Sequence, residues 1–429
     1  MSKKDWKFAT KAIHEGYNPK PGDPRILPIY QSTTYYYDDA DHLAGLFDLE
    51  REGHIYSRIS NPTVEAFENK IAALEGGVGA LATSSGQAAI TFAILNICQS
   101  GEHIIALSTL YGGTYTLLSV TLKKLGIEVT FIDPNADEKE IQAAFRPNTK
   151  AIYAETIGNP GLNVLDLEKY SKIASENGVP LIVDNTFPTP YLCRPLEHGA
   201  NIVVHSATKY IDGQARTLGG IIVDGGNFAW NNGKFPELTE PDPAYHGIRY
   251  VETFGSAAYI VKARVQFLRD IGATMSAFNA FVLHMGVETL ALRMERHSEN
   301  ALKLAQYLQS HDKVAWVNYP GLETSESYHL SQKYLPNGCS GMLTFGLKGG
   351  AEAGKKLINN VELAGIAAHM GDTRTSILHP ASTTHRQLTE EEQRGSGVLP
   401  DMIRVSVGIE DIDDIIKDIE QALNRIDKS

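Results

Sequence analysis

Cysteine is scarce in this chain: Cys98, Cys193 and Cys339 are the only three in 429 residues. They are far apart and odd in number, so they match neither a paired disulfide framework nor the short spacings of a zinc site. Buried thiols in a reducing cytoplasm are the expected state. Long apolar runs are missing as well, and none approaches the roughly 18 residues of a membrane helix. The stretch Met1 to Phe8 is polar and basic with no apolar segment behind it, which argues against a secretory signal. Basic clusters are also absent. With 39 Lys and Arg against 51 Asp and Glu, the formal net charge is −12, so nucleic acid is not an expected partner. What is present is the composition of an ordinary globular protein, long enough for two or three domains and a large core.

Residues 1 to about 60 read as an extended arm. Pro19, Pro21, Gly22, Pro24 and Pro28 oppose regular structure there, and Tyr30 and Tyr35 to Tyr37 add aromatic surface for docking. The first helix starts at Asn61-Pro62, a good cap followed by a residue suited to the first helical position. Val64, Phe67, Ile71 and Leu74 follow at helical spacing, and Gly76-Gly77 ends the run. From about 79 to 225, short continuous apolar runs alternate with helix-like segments. The runs are Ala80 to Thr83, Ile104 to Leu107, Val129 to Ile132, Ala151 to Ala154, Leu181 to Val183 and Ile202 to Val204. Strands buried on both faces and interleaved with helices imply an α/β protein with a mostly parallel central sheet. Residues 226 to about 265 read as irregular, and roughly 277 to 310 as helical. Met342 to Phe345 and Ile403 to Ile409 read as strands of a smaller α+β C-terminal domain. Its last helix carries Ile412, Ile415, Ile419 and Leu423 on one face, with Asp411 as the cap. The expected division is an arm over 1–60, a sheet domain over 61–275 and a C-terminal domain over 276–429.

Ligands of parallel α/β sheets bind outside the carboxyl ends of the strands, so the residues just after each strand carry the functional signal. Ser84-Ser85-Gly86-Gln87 follows the first strand and opens a helix. It is either a plain serine cap or an anion cradle of backbone N–H groups. Asp184 follows Leu181 to Val183. A carboxylate there is either a cap or ion pair, or the partner of a protonated heteroaromatic nitrogen. His205-Ser206-Ala207-Thr208-Lys209 follows Ile202 to Val204. Lys209 is either a solvated surface lysine or a nucleophile toward carbonyls. Taken together, the three segments supply a phosphate cradle, an acid for a pyridinium nitrogen and a lysine for an aldehyde. Pyridoxal 5′-phosphate (PLP) requires that set. Tyr111, in Leu110-Tyr111-Gly112-Gly113, also follows a strand, where its ring can stack on a cofactor.

At these residues the chain resembles the Cys/Met-metabolism PLP family, of fold type I. The matching stretches run from Tyr56-Ser57-Arg58-Ile59-Ser60-Asn61-Pro62-Thr63 through Glu155-Thr156-Ile157-Gly158-Asn159-Pro160 and Val183-Asp184-Asn185-Thr186. They continue to Ser206-Ala207-Thr208-Lys209, His379-Pro380-Ala381-Ser382-Thr383-Thr384-His385 and Arg404-Val405-Ser406-Val407-Gly408-Ile409-Glu410. The resemblance implies that Lys209 is the Schiff-base lysine and proton carrier, and that Asp184 is the pyridinium partner. It implies that Gly86, Gln87, Ser206 and Thr208 hold the phosphate, and that Tyr111 stacks on the ring and assists at the leaving group. Asn159 and Arg404 are implied to hold the substrate carboxylate, a task that suits the planar fork of arginine. Tyr56 and Arg58 are implied to reach the cofactor of a neighbouring subunit, with Tyr56 also near the substrate. Each site would then need a dimer, and the assembly would be a cytoplasmic homotetramer.

Within the family the chain is most similar to the branch acting on O-acetylhomoserine with sulfide or a thiol, giving homocysteine or methionine and acetate. The carriers are the long 226–265 segment and the Thr383-Thr384-His385-Arg386-Gln387-Leu388 run. A γ-lyase is one alternative, although methionine γ-lyases typically carry a cysteine where Gly113 stands. An O-succinylhomoserine sulfhydrylase is the other, because Asp212 to Gly220 leans toward succinyl-type enzymes. His369 stands where relatives often have Ser or Asn near the substrate carboxylate.

Overall fold

The structure is a computed structural model that describes residues 6–386, 389–395 and 397–426. Its central sheet has seven strands: β1 Gly79–Thr83, β2 His103–Leu107, β3 Glu128–Ile132, β4 Thr149–Glu155, β5 Leu181–Asp184, β6 Ile202–His205 and β7 Gly220–Asp224. The spatial order is β1-β7-β6-β5-β4-β2-β3. β7 is antiparallel to both neighbours and the remaining pairings are parallel. Successive side chains of a strand face opposite ways, and here both faces are covered. Ile104, Ala106, Ile182 and Val204 pack with Ile90 and Phe92 of the helix Gly86–Leu95. Ile105, Leu107, Leu181 and Val183 pack with Leu167 and Tyr170 on the other side. That two-sided burial is why the strands are continuous apolar runs rather than alternating ones.

A second sheet follows, with β8 Val314–Asn318, β9 Met342–Leu347, β10 Gly365–Ile366, β11 Ser376–Leu378 and β12 Met402–Ser406. Its order is β10-β11-β12-β9-β8, antiparallel except for β10 with β11. The closing helix Ile412–Arg425 buries Ile415, Ile419 and Leu423, and the Asp411 carboxylate accepts from the Asp413 N–H. The helix Pro62–Glu75 is capped as its sequence implies. The Asn61 side chain accepts from the Thr63 N–H, and Gly76 closes the helix at φ 85°. Among the described residues no helix is long and apolar enough to cross a membrane.

Two segments differ from their sequence reading. The first 60 residues are not extended throughout, because they contain helices Phe8–His14 and Ala40–Phe47. The first of these is tied down by buried Lys70, whose ammonium donates to the Ala12 carbonyl at 2.8 Å. The 226–265 segment contains helices Pro236–Thr239, Tyr250–Phe254 and Ala258–Lys262. Its Asn-Asn-Gly turn precedes the first of these helices, and Pro241 and Pro243 lie between the first and the second. The 277–310 region is two helices, Ala277–Glu288 and Leu290–Gln309, broken at Thr289.

Candidate active site

The carboxyl ends of β1, β4, β5 and β6 converge on one cavity of about 190 Å³, walled by Gly86, Gln87, Tyr111, Asn159, Asp184, Ser206, Thr208 and Lys209. The serine cap and the anion cradle turn out to be compatible. The Ser85 hydroxyl accepts from the Ala88 N–H, while the Gly86 and Gln87 amides open the same helix at the cavity wall. Glycine is required at 86 because a Cβ there would stand 2.7 Å from Ser206 Cβ. That close approach sets the helix N-terminus and the Ser206 hydroxyl side by side, an arrangement that favours an anion.

Asp184 ends β5 directly beside Glu155, its register partner on β4. Asp184 accepts from the Thr186 N–H at 2.9 Å. Glu155 accepts from the Tyr111 N–H at 2.8 Å and the Asn159 N–H at 3.1 Å. Burial pushes both carboxyls up, and for Glu155 the neighbouring Asp184 adds to the effect. A cation placed against Asp184 would offset that cost. Beneath lies a fully buried link: His205 Nε2 is 2.6 Å from Glu75 Oε1, which also accepts from Asn185 at 3.0 Å. Lys209 is pulled down from the usual lysine range by burial and then by the Arg404 charge, with Asp184 opposing. This is the environment that makes a lysine amine nucleophilic.

The second sheet contributes Arg404. It is buried on β12 and donates from Nη1 to Asn159 Oδ1 at 3.0 Å. Burial lowers its pKa to about 10. Gly371, at φ 76°, lets its loop close on the Lys209-Tyr210 backbone, where a Cβ would stand 2.7 Å from the Tyr210 nitrogen. Two expected residues lie elsewhere. Tyr56 and Arg58 wall a separate surface cavity, with the guanidinium 5.1 Å from the Tyr56 ring centroid. The Thr208 hydroxyl is already engaged, donating to the Gly219 carbonyl at 3.1 Å and accepting from the Gly219 N–H at 3.0 Å. It must turn before it can reach a phosphate. Gln387 and Leu388 lie outside the described residues.

Glu155, Thr186 and Met370 also line the cavity, and the sequence alone assigns them no role. Glu155 was open to the same reading that found Asp184, since it too ends a buried strand. Met370 comes from the second sheet's loops, which no local pattern signals.

Residues 9–424 match the model of the Cys/Met metabolism PLP-dependent enzyme family. The chain belongs to this family. It is 52% identical to the O-acetyl-L-homoserine sulfhydrylase of Leptospira meyeri, over 99% of this chain and 98% of that one. It is 50% identical to the homocysteine synthase of Schizosaccharomyces pombe, covering 97% and 98% of the two chains. A Campylobacter jejuni protein assigned as an O-acetylhomoserine (thiol)-lyase superposes with TM-score 0.95 and 38% identity, covering 98% of this chain and all of that one. That structure was solved with an N′-pyridoxyl-lysine-5′-monophosphate residue. The Cys/Met family's cofactor suits the cavity described above. A helix N-terminus with a serine hydroxyl can take its phosphate, a costly buried carboxyl its ring nitrogen and a depressed lysine its aldehyde.

Proposed function

We propose that this enzyme replaces the acetoxy group of O-acetyl-L-homoserine with sulfide or a thiol, releasing acetate. The C–O bond at Cγ breaks and a C–S bond forms at the same carbon, giving homocysteine from sulfide or methionine from methanethiol. The observation that carries this reading is the Lys209 cavity, which has Tyr111 and Asn159 in its wall and Arg404 bound to Asn159.

PLP, when bound, supplies the electron sink that makes the carbon next to the amino group acidic. The remaining roles belong to the protein. Lys209 holds the cofactor through its amine and, once released, takes the Cα proton and returns a proton further along the substrate chain. Asp184 keeps the ring nitrogen protonated. Gly86, Gln87 and Ser206 hold the phosphate, with Thr208 joining after its hydroxyl turns. The Arg404 fork grips the substrate carboxylate, with Asn159 fixing its angle. The Tyr111 hydroxyl supports the departing oxygen.

Two observations favour this reading over its neighbours. A Cβ at Gly113 would stand 2.6 Å from Tyr111 Cε1, so the cysteine of methionine γ-lyases would displace the ring. Arg216 is held by Asp212, through Nε at 3.1 Å to the carboxylate and Nη2 at 3.0 Å to the carbonyl, and it does not line the Lys209 cavity, so no cation there awaits a succinyl carboxylate from that segment.

The proposal extends to assembly. Tyr56 and Arg58 lie away from their own chain's Lys209 cavity, and Ile26, Tyr30 and Tyr36 expose apolar surface nearby in sequence. This supports dimers that share their active sites, and the proposed assembly is a cytoplasmic homotetramer of such dimers. The arm covers 1–60, the cofactor domain 61–275 and the C-terminal domain 276–429. With a net charge of −12, the partners are small molecules and not nucleic acid.

The deciding assay gives the purified holoenzyme O-acetyl- or O-succinylhomoserine, with and without sulfide. Homocysteine and acetate formed from the acetyl ester only with sulfide is the expected result. Ketobutyrate in equal amounts with and without sulfide would make the enzyme a γ-lyase.

A further inference from the structure

The Lys209 cavity accounts for the amino-acid substrate but leaves the sulfur donor without a place. A second cavity, of about 370 Å³, shares Gln87 and Tyr111 with the first and none of its other walls. Its own walls include Gly112, Leu117, Thr121 and His385. Leu117–Thr121 is a single π-helical turn, and both of its end residues reach this cavity. Such turns recur at functional sites because they re-aim side chains.

His385 is the unexplained residue. It is 1% exposed, and its Nε2 has no hydrogen-bond partner. A buried ring nitrogen without a partner is costly unless something comes to meet it. Nδ1 is 3.0 Å from the Thr384 hydroxyl. With that hydroxyl donating to Nδ1, the ring proton lies on Nε2. Nε2 sits so close to Gly112 that a Cβ there would be 3.2 Å away, so glycine keeps the approach open. Burial and the Arg404 charge lower the imidazole pKa to about 4, which leaves the ring neutral at physiological pH.

We infer that this second cavity is the binding site of the sulfur donor, and that His385 Nε2–H is the hydrogen-bond donor that positions it. The inference rests on the γ-replacement reading above. The chemistry of the walls selects the ligand. Among the described residues no lysine or arginine lines the cavity, and the Arg404 charge reaches His385 from outside it. Neutral donors on His385, Gln87, Tyr111 and three threonines, beside Leu117 and two glycines, suit a small group such as hydrosulfide or a short alkyl thiolate. Gln87 and Tyr111, common to both cavities, put the donor next to the Lys209 cavity, from which it enters to attack the substrate carbon. His385 acts as a positioning residue and transfers no proton.

The test uses holoenzyme carrying His385→Asn or, separately, Thr121→Trp. The second change is on an exposed wall and narrows the cavity without touching His385. KM is measured for sulfide, methanethiol and O-acetylhomoserine. The His385→Asn variant is expected to raise KM for sulfide about tenfold, the effect of losing one hydrogen bond to a charged group, while KM for the ester moves less than about twofold. The Thr121→Trp variant is expected to raise KM for methanethiol more than KM for sulfide. Unchanged donor KM values in both variants would overturn the site. A rise in KM for the ester in place of the donors would give the cavity to the acyl group and also overturn it. If wild-type enzyme formed no homocysteine from ester and sulfide, the γ-replacement reading would fall, and the donor site with it.

Discussion

Burial sets the behaviour of the titrating side chains, and Asp224 is the clearest case outside the active site. It ends β7 at 1% exposure, with Oδ1 accepting from the Gly226 N–H at 2.9 Å and Oδ2 without a partner. Burial raises its pKa from 3.8 to about 7. The unfolded carboxyl ionises first, so this group costs the fold stability as pH rises from about 4 to about 7, and the cost is complete above that window. Asp224→Asn removes the ionisation. Chemical denaturation at pH 5 and pH 8.5 should show the variant gaining on wild type at the higher pH, by about 3 kcal/mol for the part of the shift that lies between pH 5 and about 7. An equal difference at both pH values would contradict the assignment. Lys209 follows the same physics with opposite charge: burial lowers it, and the Arg404 charge lowers it further. Burial also lowers Lys70 and Lys262, to about 8, but these donate to the Ala12 and Asn96 carbonyls, whereas Lys209 faces a cavity.

Elements whose sequence periodicity is local were legible, and those defined by distant pairing were not. The Pro62–Glu75 and Ile412–Arg425 helices carry their caps and apolar faces within a few residues. Six strands of the central sheet are continuous apolar runs, and their ends led to Asp184, Lys209 and the Gly86 turn. β7 is also an apolar run, Gly220-Ile221-Ile222-Val223-Asp224, but nothing local reveals that it returns antiparallel between β1 and β6. That return brings Gly219 against Thr208 and occupies its hydroxyl, so the phosphate role of Thr208 was read more simply than the fold has it. β10 has two exposed residues and no pattern to read. His385 is similar: a buried histidine with an unmet nitrogen cannot be told from a satisfied one until its neighbours are known.

For the whole molecule, the two sheets meet where Arg404 of β12 reaches Asn159 beyond β4, so the substrate grip depends on the packing of both. In the proposed dimer, Tyr56 and Arg58 would extend that dependence to a second chain. Arg58→Ala and Lys209→Ala chains, each expected to be inactive alone, should regain about half of wild-type activity in purified mixed dimers, since one of the two sites is then built from unaltered halves. No recovery in a verified mixed dimer would contradict the shared site. The central claim, that Lys209 carries the cofactor, has its own direct measurement. Holoenzyme is treated with borohydride, which fixes a reducible bond between cofactor and amine, then digested and mapped by mass spectrometry. The account predicts the reduced pyridoxyl phosphate mass on the peptide containing Lys209, with that label and turnover both lost in Lys209→Ala. The label on another lysine, or normal turnover by the variant, would contradict it.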